Sequence, residues 1–356
     1  MKRHIQVLQI AFTYVGTVVG AGFASGQEIL QFFTRYGAVA TGTILLSTIL
    51  FIGVGIKLML LSREVRAKSY EDMIRYLFGA KAGKWVALFS LLVLLGVSIV
   101  MLAGGGAVFE EQLGIDSKVG ALIIIMLTYF ILTKGIRGIM TVNTIVVPCM
   151  ILFSLLVVAT TWGTPGSGNW LRITTDFSPV YSWLSPFLYT SFNLATAQAV
   201  LVPLGAQVQD RKVLIRGGIL GGCMIGVLIM GAHYAMSAQM PDISQFDIPM
   251  GSILDHVGGI WQMLFLFIIY AEIFTTFLSN AYGLSLQIQQ HSRLGFRVIL
   301  LMVLTICFLL SHIGFKTLLT WLYPLFGFIS LIWFILMLRK KRSCPSYIDV
   351  RKQREP

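Results

Sequence analysis

The stretch Thr13-Tyr-Val-Gly-Thr-Val-Val-Gly-Ala-Gly-Phe-Ala-Ser-Gly-Gln-Glu28 lies inside an apolar run long enough to cross a bilayer. Gly16, Gly20, Gly22 and Gly26 all fall near its middle. A glycine in a helix interior costs roughly 1 kcal/mol relative to alanine, so this cluster predicts an unwound stretch rather than a continuous rod. Backbone freed from a helix inside hydrocarbon survives only where protein or a water-filled cavity surrounds it. The motif therefore points at an internal site. The competing explanation is close helix packing, because small residues at i, i+4 such as Gly16 and Gly20 also let two helices approach.

The rest of the chain supplies the bilayer. Of its 356 residues 56% are hydrophobic and 12% charged, with a mean hydropathy of +0.81, which excludes a soluble globular enzyme. About 20 apolar residues span the roughly 30 Å hydrocarbon core. Spans are expected near 5–34, 38–61, 84–109, 119–135, 138–162, 180–207, 213–238, 257–288, 295–313 and 315–338, so roughly ten crossings. With a cytoplasmic N-terminus, only Arg35, Lys118, Arg172 and Lys316 of the 27 lysines and arginines fall outside. That bias is what positive-inside insertion predicts for both termini cytoplasmic, and it accounts for the net charge of +12 without a nucleic-acid partner. Lys57 reads as snorkelling to the inner surface. Cleavage of the first run as a signal peptide near Ala24 would discard the glycine motif and is set aside.

Between the second and third spans, Ser69 to Gly79 reads as a short interfacial helix with Ser69 as N-cap, Asp72 three residues on and Gly79 ending it. The outer loop 241–256 can carry a short helix over an entrance or serve as a plain connector. Cys149, Cys223, Cys307 and Cys344 have no metal-ligand or redox spacing and read as packing thiols.

A second interruption is expected in the sixth span. Pro186 precedes Tyr189-Thr-Ser-Phe-Asn-Leu-Ala-Thr-Ala-Gln198, and Pro203 and Gly205 follow. Dividing the chain between the interrupted spans gives halves at 5–161 and 180–338, each with an odd number of spans and so inverted with respect to each other. Interrupted helices at corresponding positions of inverted halves point to a transporter's midplane site. The expected fold class is an all-α membrane protein, a single transmembrane domain over 1–356. It comprises ten helices in a five-plus-five inverted repeat, helices one and six discontinuous, and a basic cytoplasmic tail at 339–356. Either interrupted segment as a continuous helix facing lipid would end this expectation.

The motif from Gly16 to Glu28 resembles the first helix of the YkvI-like membrane proteins, relatives of the amino acid–polyamine–organocation transporters. These are similar to the leucine transporter in their five-plus-five inverted repeats. The resemblance implies secondary active transport of a small solute across the cell membrane, with substrate held between the unwound parts of helices one and six.

A broken helix bares N–H groups at the start of its second half and C=O groups at the end of its first. The amides of Ala21, Gly22 and Phe23, with Thr17 beside them, can hold a substrate carboxylate without a cationic side chain. Asn193, Thr196 and Gln198 can contact the remainder, and Tyr14, Phe192 and Tyr189 can close over it. Carbonyls of Gly16 and Val19 can face a cation. In the leucine-transporter architecture a sodium ion is shared between first-helix carbonyls and eighth-helix hydroxyls, a pair that Thr275 and Thr276 match by type. Both hydroxyls can instead bond back to their own helix. Glu28 and Glu272 are carboxylates within spans, and such groups are functional candidates by default; they supply the rival coupling ion, a proton. Glu28 also suits the first turn of a half-helix. His233 reads as a hydrogen-bonded structural residue. The expected partners are an amino acid or amine, the lipid bilayer and Na+ or H+, with no cofactor and no further metal. The alternative function is a membrane receptor subunit that senses an amino acid without moving it, which the resemblance to permease-like germinant-receptor subunits allows. No hydrolase, metalloprotease or nucleotide-binding motif marks an enzyme.

Overall fold

The computed structural model describes residues 2–246, 249–254, 259–311 and 330–339. The first membrane segment is built from three pieces, α1 (Lys2–Val18), α2 (Ala21–Ala24) and α3 (Gln27–Phe32). Then follow α4 (Val39–Val65), α5 (Tyr70–Phe78), α6 (Ala80–Leu113), α7 (Ser117–Leu132), α8 (Ile136–Thr161), α9 (Pro179–Gln207), α10 (Arg211–Ser237), α11 (Pro249–Leu254), α12 (Gly259–Gln290), α13 (Phe296–Leu310) and α14 (Ser330–Arg339). Among the described residues six helices, namely α4, α6, α8, α9, α10 and α12, are long and apolar enough to cross a membrane. The last expected span, 315–338, lies largely outside the described residues, as do Lys316, Asp247, Asp255 and the basic tail beyond Arg339.

The centre of the molecule is α9, with 72% of its apolar stretch buried against 22% for α8. It packs on α4, α12 and α1, while α1 also lies against α8 and α10. Two glycine stripes on α10 explain how closely these helices meet. Gly217 and Gly221 approach Ile10 and Tyr14 of α1, and Gly218, Gly222 and Gly226 approach Ile56, Ile52 and Thr48 of α4. Small residues at such spacing bring backbones together where lipid gives no hydrophobic drive for association.

One expectation fails. The sixth span is not discontinuous: α9 runs unbroken from Pro179 to Gln207, with Pro186 and Pro203 inside it. Each proline removes one donor, a local loss that neighbouring helices and side chains can make good. Asn193 Nδ2 donates to the Tyr189 carbonyl at 3.0 Å and Thr196 Oγ1 to that of Asn193 at 2.9 Å. The segment also lacks the glycine cluster that unwinds helix one, and Gly205 is spent on close contact with the Met59 backbone. The unbroken helix is nonetheless interior, and Asn193 and Gln198 are both buried.

The short helix expected from Ser69 to Gly79 forms with its expected ends. The Ser69 side chain accepts the Glu71 amide, and Gly79 ends α5 at φ 83°. The loop after α10 carries α11 and the 3-10 turn Asp242–Gln245. It docks on the first segment, with the Met250 amide donating to the Ser25 carbonyl at 3.0 Å and Gln27 Nε2 to that of Phe246 at 2.8 Å. Lys57 Nζ donates to the Leu338 carbonyl at the end of α14, 2.9 Å away.

Candidate functional site

The glycine motif breaks helix one where expected. The Val19 amide still reaches the Val15 carbonyl at 2.8 Å, but the Phe23 and Ala24 amides then both turn back to the Gly20 carbonyl, each at 3.0 Å. Gly26 takes φ 87°, a left-handed conformation that glycine adopts without a steric cost, and opens α3 by accepting the Leu30 amide. Among the described residues the Gly20 amide has no backbone acceptor. Gly20 and Gly22 both need the absence of a side chain. A Cβ on Gly20 would stand 2.8 Å from Thr276 Oγ1 of α12, and one on Gly22 would collide with the Glu28 carboxylate.

Around this break lies a cavity of about 40 Å³. Helix one contributes Thr17, Gly20, Gly22 and Glu28; α9 contributes Phe192, Asn193 and Thr196; α12 contributes Thr276, Ser279 and Asn280. Val97 and Met101 of α6 form an apolar wall. At roughly 10–15 Å³ per water this is room for about three water-sized groups, hence for a stripped ion and a water or two in this conformation. Glu28 Oε2, Ser279 Oγ and Asn280 Nδ2 have no hydrogen-bond partner among the described residues. Neutral oxygens beside one carboxylate are the ligand set of a hard cation. Ser279 and Asn280 were legible in principle, since they follow Thr276 by three and four residues and so share its helix face.

Other expected residues stand apart from this cavity. Gly16 packs against Asn143 of α8, whose amide oxygen and nitrogen both lack partners among the described residues. Val19 is buried and does not line the cavity. Thr275 Oγ1 donates back to the Glu272 carbonyl at 3.1 Å. The Phe23 amide is not free, because the turn commits it to Gly20, and its ring is buried. The Ala21 side chain lies outside the described residues. Glu272 has no exposed surface and neither carboxylate oxygen has a partner among the described residues, yet it stands behind the lining. Gln198 lines a neighbouring cavity instead.

The two tyrosines do not close over the site. Tyr14 is fully buried between α4 and α10, its hydroxyl donating to the Phe51 carbonyl at 2.7 Å. Tyr189 stacks edge-on against Phe33 at 5.1 Å and Phe51 at 6.0 Å. Both are packing residues, as aromatics in membrane helices usually are. His233 is buried in a hydroxyl network, with Nδ1 at 3.2 Å from Thr34 Oγ1 and 3.1 Å from Ser237 Oγ.

A helix broken inside a helical bundle, facing a buried polar helix, belongs to a transporter-like fold. The chain superposes on a sodium-coupled sialic acid symporter, solved substrate-bound and outward-open, with a TM-score of 0.68 at 15% identity, covering 95% of this chain and 79% of that one. No family model matches. The chain is 40% identical over 344 residues to the uncharacterized membrane protein YkvI of Bacillus subtilis (strain 168), 94% of this chain and 95% of that protein. It belongs to the YkvI family of multi-pass membrane proteins. It is also 25% identical over 263 residues to the sodium/pantothenate symporter of Escherichia coli (strain K12), 68% of this chain and 54% of that one.

Proposed function

We propose that this protein is a sodium-coupled symporter of a small solute, most simply an amino acid, working by alternating access in the cell membrane with both termini cytoplasmic. The observation that carries this is the break at Val19–Gly20 with Thr276 Oγ1 against Gly20, inside a cavity shared by helix one, α9 and α12. Thr276 and the bared main chain hold the ion, and the Gly20 and Gly22 amides with Asn193 and Thr196 hold the substrate's charged ends. The sodium coupling of the sialic acid and pantothenate symporters supports this ion. The five-plus-five inverted repeat, over 5–161 and 180–338, and kinship with the amino acid–polyamine–organocation superfamily are part of the same proposal. In proteoliposomes an inward sodium gradient drives accumulation of a radiolabelled amino-acid mixture, and Thr276→Val removes the sodium requirement. Uptake equally fast in potassium would contradict it.

Glu272 favours a second coupling ion. Burying an ionised, unpaired carboxylate costs several kcal/mol, so a carboxyl without partners among the described residues at this depth is a natural proton carrier. On that reading Glu272→Gln leaves substrate exchange intact and abolishes accumulation driven by a pH gradient; unchanged accumulation would dismiss it.

A further inference from the structure

A second cavity, of about 30 Å³, adjoins the first and shares Phe192 and Thr196 with it as a partition. Its polar lining comes from Ser90 of α6, Gln198 of α9, and Ser330 and Trp333 of α14. Gln198 and Trp333 are 3% and 2% exposed, and neither Gln198 Oε1 nor Trp333 Nε1 has a hydrogen-bond partner among the described residues. Leaving a buried donor or acceptor unmade costs the full desolvation penalty of that group. Folded proteins seldom carry two such groups in one cavity unless something outside the fold satisfies them.

The chemistry of the lining restricts what that is. Among the described residues no formal charge lines the chamber, so a charged group entering it would lose its water and gain no counter-charge from them. A purely apolar group would leave the amide and indole unpaired. The volume holds about two water-sized groups, which is what the oxygen and the NH2 of a carboxamide amount to. Gln198 Oε1 accepts from an NH2, and Trp333 Nε1 donates to a carbonyl oxygen. Resting on the symporter reading, we infer that this chamber receives the substrate's side chain and selects an uncharged hydrogen-bonding group, the carboxamide of glutamine or asparagine foremost. The amino and carboxylate ends stay beyond Phe192, at the break in helix one.

The test is a binding series on the purified full-length protein in sodium, read by thermal shift, with glutamine, glutamate and methionine as ligands of similar length. Glutamine binds at least tenfold more tightly than the other two. Trp333→Phe keeps an aromatic ring but removes the N–H, and Gln198→Met keeps the length but removes the amide. Each weakens glutamine about tenfold and leaves methionine unchanged, since a site built to hydrogen-bond a group rejects its analogue while an apolar contact does not. Methionine or glutamate matching glutamine in wild type, or both variants binding glutamine as wild type does, would overturn the chamber's role while leaving the symporter standing. Failure of every amino acid to bind any form would overturn the substrate reading itself, and this inference with it.

Discussion

Single atoms decide which residues belong to the site and which to the frame. Gly20 is needed because Thr276 Oγ1 occupies the space a side chain would take, and Gly55 because the Tyr14 hydroxyl does. The two contacts look alike in sequence, a glycine opposite a polar side chain in an apolar run, but only the first lines the cavity. Tyr14 was therefore a reasonable lid and is in fact a clamp between helix one and α4. Tyr14→Phe is expected to lower the unfolding free energy by about 1 kcal/mol, the worth of one hydrogen bond, with uptake unaltered at saturating substrate; detergent melts alongside proteoliposome assays check both. Polarity within an apolar run made Thr17, Glu28, Asn193, Thr196 and Thr276 legible, and the glycine cluster did so for Gly22. It says nothing of the helix's rotation about its axis, which is why Gly16, Val19 and Thr275 fall off the lining and Ser279, Asn280 and Trp333 come onto it.

At the scale of elements, two interruptions were expected and one exists. Glycine lowers helix stability through the backbone itself, so the cluster at Gly16–Gly26 unwinds whatever surrounds it. Asn, Thr and Pro act through hydrogen bonds that α9 can close internally or with its neighbours, an outcome fixed by packing and so invisible in one chain. The short helix α5 is the clearest success, because capping is local chemistry. Its tertiary anchor was not legible, since Glu71 meets the end of α12 far away in sequence. Glu71 is buried, with Arg75 Nη2 at 2.6 Å and His291 Nε2 at 2.8 Å, while Ser69 Oγ donates to Gln290 Oε1 at 2.9 Å. Burial, and then the Glu71 charge, push the neighbouring Tyr70 hydroxyl well above its usual pKa. Removing one partner of a buried charge pair costs about 3–5 kcal/mol. Because one side of this cluster is partly exposed, Glu71→Ala should cost about 2–3 kcal/mol, read as a lowered melting temperature with faster proteolysis between α5 and α6.

Across the whole molecule, membrane character and the six long apolar helices among the described residues were readable because a bilayer imposes length and apolarity on every crossing. What holds the spans together, the glycine stripes of α10 and the buried polar face of α9, needed coordinates. Among the described residues the result is a bundle whose unwound segment sits against its most buried helix, with the loop after α10 docked over Ser25 and Gln27. A fixed site at a broken helix, around which the surrounding helices can rock, is the working arrangement of alternating access.

That arrangement stands or falls on whether the break next to Thr276 holds an ion, which can be measured without knowing the substrate. Equilibrium binding of radiosodium to the purified protein is predicted to be saturable in wild type and lost in Thr276→Val, with both forms melting alike. Saturable binding that is undiminished by Thr276→Val, or no saturable sodium binding in wild type, would contradict it.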